Sequence, residues 1–172
     1  MDVILKDGKL VSIDSEEFKT LINQLSVIYS TSVQVVRVVG KLIIFRVKNG
    51  EKLVYNTEIG VMGIYNAVMA FSGGFAPVLS KETRLFGYIN TEGELVIPCE
   101  YGKAYAFSCN RAVVQNKEKT VTGVINEHGE TVVPFIYGSI TLFKNNIAEA
   151  TPLFGMGKKV VFDINYNIIE GC

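Results

Sequence analysis

The chain has 172 residues, with 17 basic and 17 acidic side chains and no formal net charge. Hydrophobic residues make up 48% and charged ones 20%, which excludes a disordered chain; the neutral balance excludes a global electrostatic pull toward nucleic acid or membrane. No apolar run is long enough to span a bilayer. The three cysteines, Cys99, Cys109 and Cys172, share no metal-type spacing, so free thiols in a reducing cytoplasm are expected.

The opening MDVILKDGKLVSI lacks the long apolar stretch of a secretory leader and reads as a hairpin turning at Asp7-Gly8. Asp14 followed by Glu17 predicts a helix start, and Phe18, Leu21, Ile22, Leu25 and Ile28 fall on one face of a helix over 15–29. Such a stripe faces a core, so this helix is expected to be a cap, not a recognition helix. The strands VQVVRVV and LIIFRV follow, and residues 1–41 form the predicted N-terminal cap.

From residue 42 onward the chain repeats itself. Phe71, Phe107 and Phe143 are spaced by 36, and so are Tyr65, Tyr101 and Tyr137. Between 71–106 and 107–142, 15 of 36 aligned positions are identical, which defines two central units. Four units are expected, about 42–71, 71–107, 107–143 and 143–172, with worn outer copies because an end repeat has one neighbour only. Each central unit reads as three strands. FAPVL or RAVVQ comes first, and its Ala and second Val share a face that predicts a close-packed seam. After a polar turn comes LFGYIN or VTGVIN, whose glycine predicts a neighbour pressing close. A tip with Gly93 or Gly129 then leads into LVIP or TVVP, which a proline ends.

This unit resembles the WG family, bacterial and phage-encoded repeats built around a Trp-Gly dipeptide. Ala76-Pro77-Val78, Gly87-Tyr88-Ile89-Asn90, Val96-Ile97-Pro98 and Tyr101 follow that pattern. So do Ala112-Val113-Val114, Gly123-Val124-Ile125-Asn126, Val132-Val133-Pro134 and Tyr137. The chain has no tryptophan, and Phe86 and Thr122 stand in its place. The resemblance covers about residues 42–169. It implies a mainly β fold of tandem three-stranded hairpin repeats and no particular reaction. A small closed propeller-like barrel is the alternative geometry.

No constellation for catalysis emerges. His128 sits at a hairpin tip where the preceding unit has Glu92, and acid–base work needs burial and a partner. Cys99 stands where the next unit has Phe135, as a small hydrophobe; Cys109 aligns with Gly73 in a turn. Gly73-Gly74 and Gly155-Met156-Gly157 lack the strand–loop–helix setting of a phosphate loop. The chain is therefore expected to be non-enzymatic, without metal or cofactor. A hydrolase would need a site assembled from distant loops.

The turns carry a charge pattern that the neutral total conceals. The first turn of successive units holds Lys48 and Lys52, Lys81 and Arg84, Lys117 and Lys119, Lys158 and Lys159. The second turn holds Glu58, Glu92 and Glu94, Glu127 and Glu130, and Asp163. Stacked units would then show a basic edge opposite an acidic one. Charged turns also guard strand edges against aggregation, which is the simpler use of them. The expected role is protein–protein interaction, as an inhibitor or adaptor, with a phage anti-defence inhibitor one instance. The alternative is binding of a nucleotide-like or other phosphorylated small ligand on the basic edge. Glu82 and Glu118 interleave with those cations and argue against nucleic acid.

Overall fold

The computed structural model describes residues 2–4, 10–12, 14–155 and 157–170. Strands β1 (Asp2–Ile4) and β2 (Leu10–Ser12) pair antiparallel, as expected of a hairpin; the predicted turn at Asp7-Gly8 lies outside the described residues, as does Cys172.

Helix α1 spans Glu16–Ile28. Its N-cap is Ser15, not Asp14: the Ser15 hydroxyl accepts from the Phe18 N–H at 3.2 Å, while the Asp14 N–H donates to Ser12 Oγ. Glu16 and Glu17 then lie in the first turn, where the helix dipole favours carboxylates. Phe18 and Leu25 are buried, and Leu21 and Ile22 pack beside them. Ile28 departs from the expected stripe. It is 67% exposed, and Tyr29 closes the apolar face instead. Ser15→Ala is expected to cost about 1 kcal/mol, a loss of one satisfied helix N–H that a urea melt will read.

The remaining chain is an antiparallel meander. It comprises β3 (Gln34–Val39), β4 (Leu42–Arg46), β5 (Lys52–Asn56), β6 (Gly60–Tyr65), β7 (Ala67–Val68), β8 (Phe75–Leu79), β9 (Phe86–Asn90) and β10 (Leu95–Tyr101). It continues through β11 (Lys103–Ala104), β12 (Ala112–Gln115), β13 (Thr122–Ile125), β14 (Thr131–Ile140), β15 (Ile147–Pro152), β16 (Val160–Asp163) and β17 (Ile168–Glu170). The strand orders are β3-β4-β5-β6, β7-β8-β9-β10 and β11 through β17, and none of these sheets closes on itself. The three expected strands of each unit are present, and one more, short in all but the first unit, is added before them. It is β7 for the second unit, β11 for the third, the Ser139-Ile140 end of β14 for the fourth, and β3 for the first. Residues 1–41 thus contribute a strand to the first sheet as well as the helix.

Successive units pack face to face, and one apolar layer lies between each pair; the third and fourth do so within one seven-stranded sheet. Phe18 and Leu25 of α1 meet Ile43, Phe45 and Leu53 of the first unit. The opposite face of that unit, with Leu42, Ile44 and Val54, meets Ala76, Val78 and Ile89 of the second. Tyr88 and Ile97 then meet Ala112, Val114 and Ile125, and Val113, Val124 and Val133 meet Ala148, Ala150 and Phe162. The small Ala-x-Val face predicted from sequence is the seam surface of the second and third units, and Ala148 and Ala150 take its place in the fourth. A unit in the middle buries both faces of its strands, which is why its first strand reads as a continuous apolar run.

The phenylalanines spaced by 36 anchor this stacking. Phe107 is 1% exposed and lies 4.7 Å from the Phe75 ring and 5.0 Å from Tyr88, edge-on to the latter. The Tyr88 hydroxyl donates to the Tyr105 carbonyl at 2.7 Å, and burial raises its pKa well above the ordinary phenol value. Ser72 Oγ donates to the Phe107 carbonyl and Ser108 Oγ to the Phe143 carbonyl, each at 2.7 Å. The same staple therefore joins units two to three and three to four.

The last unit ends the stack differently. Glu149 occupies the register position of Val113 and pairs with Lys159 at 2.6 Å; Glu170 occupies that of Val133. At Glu149 a carboxylate stands where the third unit buries Val113, which makes that face of the fourth unit polar.

Candidate interaction edges

The first turns are held by their own side chains. Ser80 Oγ accepts from the Glu82 and Thr83 N–H groups at 3.2 Å each, and Asn116 Oδ1 from those of Thr120 and Val121 at 2.8 and 3.0 Å. Asn49, Arg84 and Lys119 take left-handed backbone angles that bend the chain back. From the second unit on, the link leaving the preceding unit lies against this part of the chain. A Cβ on Gly102 would lie 2.5 Å from the Asn116 carbonyl, and one on Gly138 would lie 3.1 Å from that of Pro152. Asn66 Nδ2 donates to the Ser80 carbonyl in the same way.

Lys48, Lys81, Arg84, Lys117, Lys119, Lys158 and Lys159 are all exposed in these turns. Lys52 is half-buried and donates to the Gly50 carbonyl; desolvation, then the Arg46 charge, lower its pKa. Lys159 is engaged by Glu149. The remaining six have no acidic partner among the described residues.

The second turns share one device. Asn56, Asn90, Asn126 and Asp163 each accept from two backbone N–H groups of the turn that follows. Asp163 has its pKa lowered, chiefly by the Asn167 side-chain amide and then the Asn167 backbone N–H. The turns also touch across units: Asn56 Nδ2 donates to the Glu92 carbonyl at 2.9 Å, and Arg111 Nε to the Ile164 carbonyl at 2.7 Å. Glu94 and Glu130 accept from Asn90 and Asn126, and Glu58 pairs with Lys41 at 2.8 Å. Glu92 and Glu127 form no ion pair among the described residues, although the Glu58 hydrogen bond and, after it, the Glu92 charge raise the Lys41 pKa.

A third set of turns links one unit to the next. Gly73-Gly74, Cys109-Asn110 and Asn145-Asn146 all have positive φ, with bridges Ser72 to Phe75, Ser108 to Arg111 and Lys144 to Ile147 around them. Two-residue turns with both centres left-handed suit the strand twist. Cys109 is therefore a turn residue, as its alignment with Gly73 predicts. Cys99 is half-buried against the layer between the first two units, and burial raises its thiol pKa. Among the described residues no group of three or more His, Cys, Asp or Glu could hold a metal ion, and no helix is long and apolar enough to cross a membrane.

Sequence reasoning treated His128 as a tip residue on its own. The structure lays that tip against the second unit. Phe75, Asn90 and Val96 of one unit and Glu127 and His128 of the next line an open groove of about 530 Å³. The signal was present in the spacing, because Glu127 and His128 lie 36 residues beyond Thr91 and Glu92. What was missing was Val96, an apolar residue that a strand pattern assigns to a core. Two further grooves lie on the outer side of α1 and against the last unit, and none of the three is lined by the eight basic-edge residues.

The geometry defines an open antiparallel β-repeat protein with a helical cap at its N-terminal end. Residues 86–119 and 123–150 match the family described as WG containing repeat, and these units are WG repeats; the matches begin at Phe86-Gly87 and at Gly123, where the family dipeptide falls. No curated protein matches the chain. Among solved structures, the computationally designed Ika8 protein aligns at 17% identity and TM-score 0.44 over 82% of this chain and 49% of that one. The computationally designed Ika4 protein aligns at 14% and 0.42 over 77% and 91%. BamB from Moraxella catarrhalis aligns at 12% and 0.40 over 81% and 48%. The chain spans about half the length of the first and third.

Proposed function

We propose that the chain is a non-catalytic module that acts by binding another protein, as an inhibitor or adaptor. A phage anti-defence inhibitor working in the bacterial cytoplasm is one instance. The observation that carries the reading is the repetition of unneutralised cations at corresponding first turns, at Lys81 and Arg84, then at Lys117 and Lys119. Like charges collected along one side repel, and an acidic protein surface relieves that repulsion. Repeat stacks present broad surfaces of this kind.

The test is capture from a bacterial lysate with the wild-type chain and with a Lys117→Glu, Lys119→Glu variant. One protein enriched by the wild type and reduced about tenfold by the charge reversal is expected, as when rim charges are inverted. Recovery of no enriched protein by the wild type contradicts the reading.

A further inference from the structure

The groove between the second and third units has a composition that the basic edge lacks. Its walls are apolar, from Phe75 and from Val96, which is 38% exposed although it lies in a strand. Leu95 beside it is 48% exposed. Its charged lining residue is Glu127, and the turns on either side carry Glu92, Glu94 and Glu130, all exposed. No lysine or arginine lines it. Glu127, its one acidic lining residue, has no ion pair among the described residues and no side-chain hydrogen bond of the kind that ties Glu94 and Glu130 to asparagines of their own turns.

We infer that this groove is a docking site for an extended basic segment of a protein partner, in which apolar side chains alternate with lysine or arginine. The aliphatic part of the segment covers Val96 and Phe75, and its cations face Glu127 and the flanking glutamates. Burying an exposed valine and neutralising an unpaired carboxylate both favour that occupant; an acidic apolar segment loses the second gain and a basic polar segment the first. The proposal rests on the reading of the chain as a protein-binding module and assigns it a second surface. The two edges, opposite in sign, then engage separate chemistry, as an adaptor requires.

The test uses fluorescein-labelled octapeptides of alternating Lys-Leu, Lys-Ser and Glu-Leu, followed by fluorescence anisotropy with the full chain. The Lys-Leu peptide is expected to bind, more weakly as salt is raised, and the other two at least about tenfold less tightly. Val96→Asp is expected to weaken binding by about tenfold, and Glu127→Gln by about threefold with a shallower salt dependence. Lys117→Glu, Lys119→Glu should leave it unchanged. Circular dichroism checks that each variant is folded, and Glu127→Gln, an isosteric change at a tip, keeps the test open if Val96→Asp is not. Equal binding of the Lys-Ser peptide, no binding of the Lys-Leu peptide, or indifference to both groove variants overturns the proposal. Self-association of the chain that Val96→Asp abolishes overturns it too, since a second copy then fills the groove. Failure here leaves the lysate result standing, because that result depends on the opposite edge.

Discussion

Gly87→Ala is expected to destabilise the fold by about 3 kcal/mol, the upper part of the range for inserting a methyl group into a packed site. A Cβ at Gly87 would lie 2.4 Å from the Ile97 carbonyl oxygen, 2.8 Å from the Pro98 carbonyl carbon and 2.9 Å from the Cys99 nitrogen. All three are backbone atoms of the neighbouring β10, so no side chain can rotate away. The register of β10 on β9 shifts on both sides of Ile97, which is how the third strand is pressed onto the second. Gly123 repeats the arrangement, with the Val133 carbonyl and the Phe135 ring at 2.9 Å. For a chain of this length the loss corresponds to a fall in Tm of roughly 6–12 °C. Gly74→Ala is the control. A Cβ there meets nothing within 4 Å, and only its φ of +84° opposes the change, at about 1–2 kcal/mol. A thermal melt that ranks the two variants equally contradicts the steric account of the family glycine.

Phe107→Ala is expected to cost about 4 kcal/mol, because it empties a layer that two units share. The ring packs on Phe75 and Tyr88 from one side, and Ala112, Val114 and Ile125 complete the same cluster from the other. The Ser72 staple survives, since it uses the Phe107 carbonyl. Phe71→Ala, one unit earlier at a half-buried position, should cost clearly less. Urea denaturation of both variants reads the difference, and a larger loss from Phe71→Ala would contradict this ranking.

Much of this architecture was legible in the spacing of a few residues. The step of 36 marked the phenylalanines that fill the layers, and the Ala-x-Val pairs marked the seam faces. Gly87 and Gly123 signalled close approach before any strand was placed. The helix was legible from its stripe, but its cap was read one residue early, at Asp14 instead of Ser15, because the two are adjacent and both side chains can accept a backbone N–H. Two-residue strands such as Ala67–Val68 and Lys103–Ala104 are too short to show alternation, so the fourth strand of the second and third units left no pattern, whereas that of the first was legible in VQVVRVV. The groove at Val96 was hidden for a different reason. It is made by the tip of one unit lying on its neighbour, and a sequence pattern reports the face of a strand, not what stacks over it.

The claim on which the rest depends is that neighbouring units hold a common interior and do not fold as separate hairpins. Native-state hydrogen exchange on wild type and Phe107→Ala addresses it most directly. Protection of the β9 amides, Phe86–Asn90, and of the β12 amides, Ala112–Gln115, is expected to fall together and by about the same factor. Loss confined to the third unit, with β9 protected as in the wild type, would contradict it.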